Sequence, residues 1–211
     1  MAGTGVHMKA LMLVDIQNDF MPFGALPVRK GDEIVEVANR MMEGFDFVVA
    51  TQDWHPADHG SFATTHEGSA PGEVIELGGV QQVLWPDHCV QGRPGASFHS
   101  GLDIARIDAV VRKGTDSGID SYSGFFDNGH RKETGLDDVL RARGVTEIWI
   151  VGLATDYCVR ATALDARELG YGVTVVEEGV RAVDLSPGDG AAALQEMREA
   201  GCDVLRAPAA G

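Results

Sequence analysis

Six short runs rich in β-branched and aliphatic residues recur along the chain, with helically spaced segments between them. The runs are KALMLVDI (9–16), FVVATQD (47–53), IDAVVRKG (107–114), EIWIVGLA (147–154), GVTVVEE (172–178) and DVLRAP (203–208). Most are continuously apolar rather than alternating, as strands are when helices cover both faces of a sheet. In DEIVEVANRMMEG, the residues Ile34, Val35, Val37, Ala38, Met41 and Met42 form a helical stripe that stops at Gly44. TGLDDVLRARG reads as a second helix and CVRATALDARELG as a third, ended by Gly170. SPGDGAAALQEMREAG reads as a fourth, with Ser186 as N-cap and Pro187 in the first turn. Strands alternating with helices predict an α/β domain around a parallel sheet with right-handed crossovers. Residues 1–8 are expected to be a tail and 9–211 a single domain.

One stretch breaks the alternation. Residues 54–106 carry prolines, glycines and most of the histidines with little periodic pattern, and are expected to be a long functional loop region. The formal charge of −15 would repel phosphate backbones and anionic lipid, which argues against a nucleic-acid or membrane partner. No apolar stretch is long enough to span a bilayer, and the first ten residues lack a secretory h-region. Three widely spaced cysteines, Cys89, Cys158 and Cys202, argue for free thiols in a reducing cytoplasm.

The polar residues at the strand ends carry the chemistry. Asp15 closes the first run, Asp53 the second and Lys113 the third, and Cys158 follows the fourth. In an open parallel sheet the carboxyl ends share one edge, where ligands bind, so these four residues are predicted to converge. A thiol there needs activation. A helix start favours the thiolate by less than about one pKa unit, whereas an ammonium in contact lowers a thiol by about 1–3 units. Asp15 opposes ionisation of the thiol but can take its proton during attack, so the three groups are expected to titrate as one unit. Cys202, with no charged partner, reads as structural.

QDWHPADHGSF contributes Asp53, His55 and His59, and LWPDHCVQG adds His88. Asp-x-His at a strand end projects both side chains to one side, a workable pair of metal ligands that a later histidine can complete. Carboxylate and imidazole suit zinc, iron(II) or manganese(II), and the donor set does not choose among them. Phe20, Trp85, Tyr122 and Tyr157 each stand within a few residues of a candidate site group and would wall a pocket for a flat aromatic ligand.

LVDIQNDF, TQDWHPADHGSF, WPDHCVQG, RKGTD…DSYSGFFDN and GLATDYCVRATALDA together resemble the bacterial nicotinamidases, the pyrazinamidase-type members of the isochorismatase-like cysteine hydrolases. The resemblance runs from about residue 10 to about residue 205. It implies a Rossmann-like three-layer α/β/α sandwich with a six-stranded parallel sheet. It also implies an Asp15–Lys113–Cys158 catalytic triad. The metal ligands it implies are Asp53, His55 and His88, joined in some members by the histidine matching His59. The pocket aromatics fall on Phe20, Trp85 and Tyr122. A cis peptide is implied at Leu153–Ala154, aiming the N–H groups of Ala154 and Cys158 at an oxyanion. Tyr157 departs from members that carry histidine before the nucleophile. The activity implied is hydrolysis of nicotinamide, and of pyrazinamide, through a cysteine thioester, serving NAD salvage with one divalent metal ion, zinc first. The alternative is a metal-independent amidase or ureido hydrolase on the same triad.

Overall fold

The computed structural model describes residues 8–205. Of the segment read as a tail, 1–7 lie outside the described residues, while Met8 already opens β1, Met8–Val14. The other strands are β2 (Val48–Asp53), β3 (Val74–Leu77), β4 (Val80–Val83), β5 (Ala109–Lys113), β6 (Val145–Leu153), β7 (Gly172–Arg181) and β8 (Asp203–Leu205). The helices are α1 (Ile34–Met42), α2 (Leu136–Ala142), α3 (Arg160–Glu168) and α4 (Asp189–Glu199). Residues 206–208 of the last expected strand lie outside the described residues.

Six strands form one sheet in the order β5-β2-β1-β6-β7-β8, and every pairing within it is parallel. Counted within the sheet alone this is the doubly wound order, which reverses between β1 and β6 and opens a crevice at their carboxyl ends. Side-chain alternation divides the core between two faces. Leu11 and Leu13 of β1 pack with Ile34, Val35, Ala38 and Met42 of α1. Met12 and Val14 point the other way, to a cluster holding Leu136 and Leu140 of α2, Ala163 and Ala166 of α3, and Ala193 and Met197 of α4. Helices therefore cover both faces, which is why the central strands are apolar on both sides.

Three sequence expectations shift. The loop region 54–106 contains an antiparallel hairpin, β3–β4, turned at Gly78–Gly79 with both φ positive. The fourth helix starts at Asp189, not beside Ser186. Gly188 is left-handed at φ 98° and serves as N-cap, and the Ser186 N–H donates to Asp189 Oδ2 at 2.9 Å. The third helix starts at Arg160, because Thr155–Val159 form a π turn closed by the Val159 N–H donating to Ala154 O at 3.1 Å. Cys158 rides on that turn rather than opening an α-helix.

Candidate active site

Asp15, the first residue past β1, adopts φ 50°. Its backbone N–H donates to Thr51 Oγ1 at 3.2 Å, and the Thr51 hydroxyl donates to Asp15 Oδ1 at 2.6 Å. This turns the other carboxylate oxygen toward Lys113, the last residue of β5. Lys113 Nζ lies 2.8 Å from Asp15 Oδ2, 2.5 Å from Asp53 Oδ1, 3.0 Å from Ser121 O and 3.3 Å from Cys158 Sγ. An ammonium has three hydrogens. Asp53 Oδ1, Ser121 O and Cys158 Sγ take them as hydrogen bonds, so Asp15 Oδ2, which has no hydrogen-bond partner, meets the cation as an ion pair. Asp15, Lys113 and Cys158 are 0%, 1% and 6% exposed. The four strand-end residues do converge. Asp53, however, reaches Lys113 with one oxygen and the histidines with the other, so it joins the two halves of the site.

Burial sets how the coupled group is charged. Burial, followed by the attraction of Lys113 and the opposing repulsion of Asp15 and Asp53, leaves the Cys158 thiol well above its ordinary pKa. One ammonium shared between two carboxylates does not create a resting thiolate. Burial likewise lifts Asp15 to about 6, with Lys113 pulling down and Asp53 pushing up. Burial opposes the charge of Lys113, but Asp15 and Asp53 outweigh it and hold the ammonium well above the usual lysine range. Burial also opposes ionisation of Asp53, yet Lys113 and His55 hold its carboxyl far below the carboxylate range. At neutral pH the group is thus a thiol, two carboxylates and an ammonium.

On the other side of Asp53 stand the imidazoles. His55 Nε2 is 3.6 Å and His88 Nε2 4.0 Å from Asp53 Oδ2. Two carbonyls set the tautomers: His55 Nδ1 donates to Gly114 O at 2.9 Å and His88 Nδ1 to Pro86 O at 2.8 Å. Both Nε2 atoms then face Asp53, where His55 Nε2 is buried without a hydrogen-bond partner; burial opposes the charge of His55 but Asp53 outweighs it and raises this imidazole. Burial and His55 push His88 down to about 4, which keeps it neutral. A Cβ on Gly114 would stand 2.4 Å from the His55 ring, so only glycine lets that ring occupy its place. Donors sharing an ion at about 2.0–2.2 Å stand roughly 3–3.5 Å apart, and these are close to that spacing. Asp53, His55 and His88 therefore fit a divalent metal ion.

His59 is placed differently. Its ring lies 4.4 Å from that of His55, and its donor groups with His55 and Asp120 rather than with Asp53 and His88. Its Nε2 is also buried without a partner, and its Nδ1 contacts Ser61 Oγ at 2.7 Å.

Above the sulfur lies a pocket enclosing about 340 Å³ of space, its open mouth included. Phe20, Trp85, Tyr122 and Tyr157 wall it, while Asp53, His88, Asp120 and Cys158 supply its polar side. Tyr157 meets Trp85 edge-on at 4.8 Å and Tyr122 at 5.3 Å. Gln82 Nε2 on β4 and Trp85 Nε1 donate to the Tyr122 oxygen at 2.8 and 3.1 Å. The peptide Leu153–Ala154 is cis, at the position the resemblance implies. Cys202, by contrast, is buried away from the site with its sulfur 3.9 Å from Ala163 O.

Several site groups escaped sequence reasoning. Asp120 is buried at the junction of pocket and imidazoles, where it accepts the Ser121 N–H at 2.7 Å. Its segment DSGIDSYSG has no periodicity, and nearness to Tyr122 was its one signal. Thr51 and Gln82 had none, since an inward polar side chain on a strand is anonymous in sequence.

A family model described as the Isochorismatase domain matches residues 9–209. The chain belongs to the isochorismatase family. Among its relatives, a nicotinamidase of Escherichia coli (strain K12) is 51% identical over 200 residues, covering 93% of each chain. A solved nicotinamidase/pyrazinamidase of Acinetobacter baumannii superposes with a TM-score of 0.91 at 42% identity, covering 98% of both chains. The crystal structure of a pyrazinamidase of Pyrococcus horikoshii in complex with zinc superposes at 0.78 with 38% identity, covering 94% of this chain and 98% of that one. Within this family the chain is an amidohydrolase of the nicotinamidase type.

Proposed function

We propose that this chain hydrolyses nicotinamide to nicotinate and ammonia through a thioester on Cys158, and that it also accepts pyrazinamide. The observation that carries the reading is the four-way contact at Lys113, which sets a protonated thiol beside a carboxylate at the base of an aromatic pocket. Because the thiol rests protonated, attack needs a base, and Asp15 is one that is ionised at neutral pH.

As Cys158 sulfur bonds to the carboxamide carbon, its proton passes to Asp15 and the carbonyl electron pair moves onto oxygen. Backbone N–H groups of Ala154 and Cys158 receive that oxyanion, a contribution of roughly 3–4 kcal/mol for one good donor. The proton on Asp15 goes to the amide nitrogen, the C–N bond breaks and ammonia leaves. Water then attacks the thioester, and Asp15 accepts one of its protons and returns it to the released sulfur. The product leaves as nicotinic acid, whose carboxyl proton passes to solvent, where the freed ammonia takes it up, to give nicotinate. Lys113 remains an ammonium throughout and balances whichever anion is present.

Asp53, His55 and His88 hold the metal in this reading, with His59 behind His55. A divalent ion there would supply Lewis acidity toward the pyridine nitrogen. Zinc is our first assignment, with iron(II) and manganese(II) as its competitors. Phe20, Trp85 and Tyr122 clasp the ring.

The test is ammonia release across a panel of small amides, with metal content measured on the same sample. Release from nicotinamide and pyrazinamide, lost on exhaustive chelation, is expected. A metal-loaded protein that leaves nicotinamide intact, or one that turns it over after verified metal removal, would contradict the reading.

A further inference from the structure

The proposed chemistry leaves one buried carboxylate beside the nucleophile without a task. Asp156 stands two residues before Cys158 on the same π turn and is 7% exposed. Its hydrogen-bond partners are backbone N–H groups: Val183 N donates to Oδ1 at 3.0 Å and Asp184 N to Oδ2 at 2.9 Å. Both belong to the segment joining β7 to α4. The far side of that segment is tied down too, since Asp184, at φ 53°, accepts the Gly190 N–H at 2.8 Å in the first turn of α4.

Burial raises the Asp156 carboxyl, and the three N–H groups around it, its own included, oppose that rise. Burying a carboxylate is costly unless its oxygens are met. An uncharged asparagine could accept from one N–H but would turn its own NH₂ against the other. The carboxylate is therefore suited to hold two consecutive peptide N–H groups at once. What those peptides carry is the Val183 side chain, which forms the pocket wall beside Ala154, Tyr157 and Cys158.

We propose that Asp156 is a positioning residue for the substrate ring. It fastens the Val183 wall to the turn that bears the sulfur, so that wall and nucleophile keep one spacing. This rests on the amide-hydrolase reading above. A flat ring held between Val183 and the aromatic side of the pocket presents its carboxamide to Cys158 only while that spacing holds. Loosening it should weaken binding of the ring and leave the triad able to react.

The experiment compares Asp156→Asn, Val183→Ala and the double variant with the parent protein. It measures KM and kcat on nicotinamide, the dissociation constant for nicotinate, the rate of Cys158 alkylation by iodoacetamide and the thermal midpoint. For Asp156→Asn, KM and the nicotinate constant should rise about tenfold, as loss of a hydrogen bond to a charged group implies. Its kcat and alkylation rate should stay within about threefold of the parent, a change under 1 kcal/mol. Val183→Ala should raise KM at an unchanged thermal midpoint, and the double variant should fall short of the product of the two single effects.

A fall in kcat with KM and the nicotinate constant unmoved would overturn the proposal, as would fully independent effects in the double variant. If Asp156→Asn does not fold, Val183→Ala decides alone, and an unchanged KM overturns the proposal. An inactive parent overturns the amide-hydrolase reading and this inference together, whereas an active parent with unmoved KM values overturns this inference only.

Discussion

Asp15 and Lys113 stand at the ends of two strands of one sheet and Cys158 on the π turn just past a third, whereas His88 and Trp85 reach the pocket on the excursion between β2 and β5, with Gln82 of that excursion bonded to Tyr122. The first group is placed by topology. Strands β5, β2, β1 and β6 are consecutive neighbours, so residues at their carboxyl ends are brought together by the sheet itself. The second group is placed by single backbone contacts. His55 N–H donates to Cys89 O, Gln91 N–H to His55 O, Ala63 N–H to Trp85 O and Trp85 N–H to Ser61 O. Damage to the excursion should therefore spoil the imidazole side and spare the thiol side. Damage at Lys113, which holds Asp53 as well as Asp15, should reach both.

The largest expected effect separates chemistry from architecture. Cys158→Ala should lower turnover by at least about 10⁴-fold, because the proposed nucleophile is gone. Thermal melting and metal analysis should show it folded and loaded, and a loss of metal in that variant would break the division between the two regions. Lys113→Ala should cost about 3–5 kcal/mol of stability in denaturant titration, since two buried carboxylates lose their cation. It should lower metal content as well. Stability within about 1 kcal/mol of the parent would show that the carboxylates relax independently of the lysine.

His88→Ala probes the excursion. Metal affinity should fall by more than about 100-fold, beyond the loss typical of removing an outer-shell partner. The alkylation rate of Cys158 should stay close to that of the parent, and a parallel collapse of thiol reactivity would merge the two regions into one unit.

The smallest effect is a pH limb. Asp15, raised to about 6 in the fold, serves as base only as the carboxylate. On that account kcat/KM is retained above its pKa and falls about tenfold per unit as pH drops through it. A flat profile from about pH 7 to about pH 4 would remove Asp15 from that role.

The contrast also marks what sequence could and could not tell. The strands were legible because burial on both faces writes itself as unbroken apolar runs, and Asp15, Asp53, Lys113 and Cys158 were legible because they end those runs. The Gly78–Gly79 pair between VIEL and VQQV was a readable hairpin signal, obscured by the surrounding prolines and glycines. Asp120 and the Lys113–Asp53 contact were not readable, because they depend on how loops fold back over the sheet edge. The charge state of the thiol was not readable either. It turns first on the burial of the sulfur and then on two carboxylates sharing one ammonium, and both follow from the packed structure rather than from residue types. The pocket aromatics were legible only as neighbours of candidate site groups, a signal the family resemblance sharpened for Phe20, Trp85 and Tyr122, and the cis peptide came from the resemblance alone.

The most direct test of the central claim is titration of the protein with a thiol alkylating agent, with the modified residue mapped by mass spectrometry and nicotinamide-dependent ammonia release followed on the same samples. Ammonia release should fall in proportion to the fraction of Cys158 modified and reach zero at full occupancy, irrespective of Cys89 and Cys202. Ammonia release that persists with Cys158 fully alkylated would contradict the account.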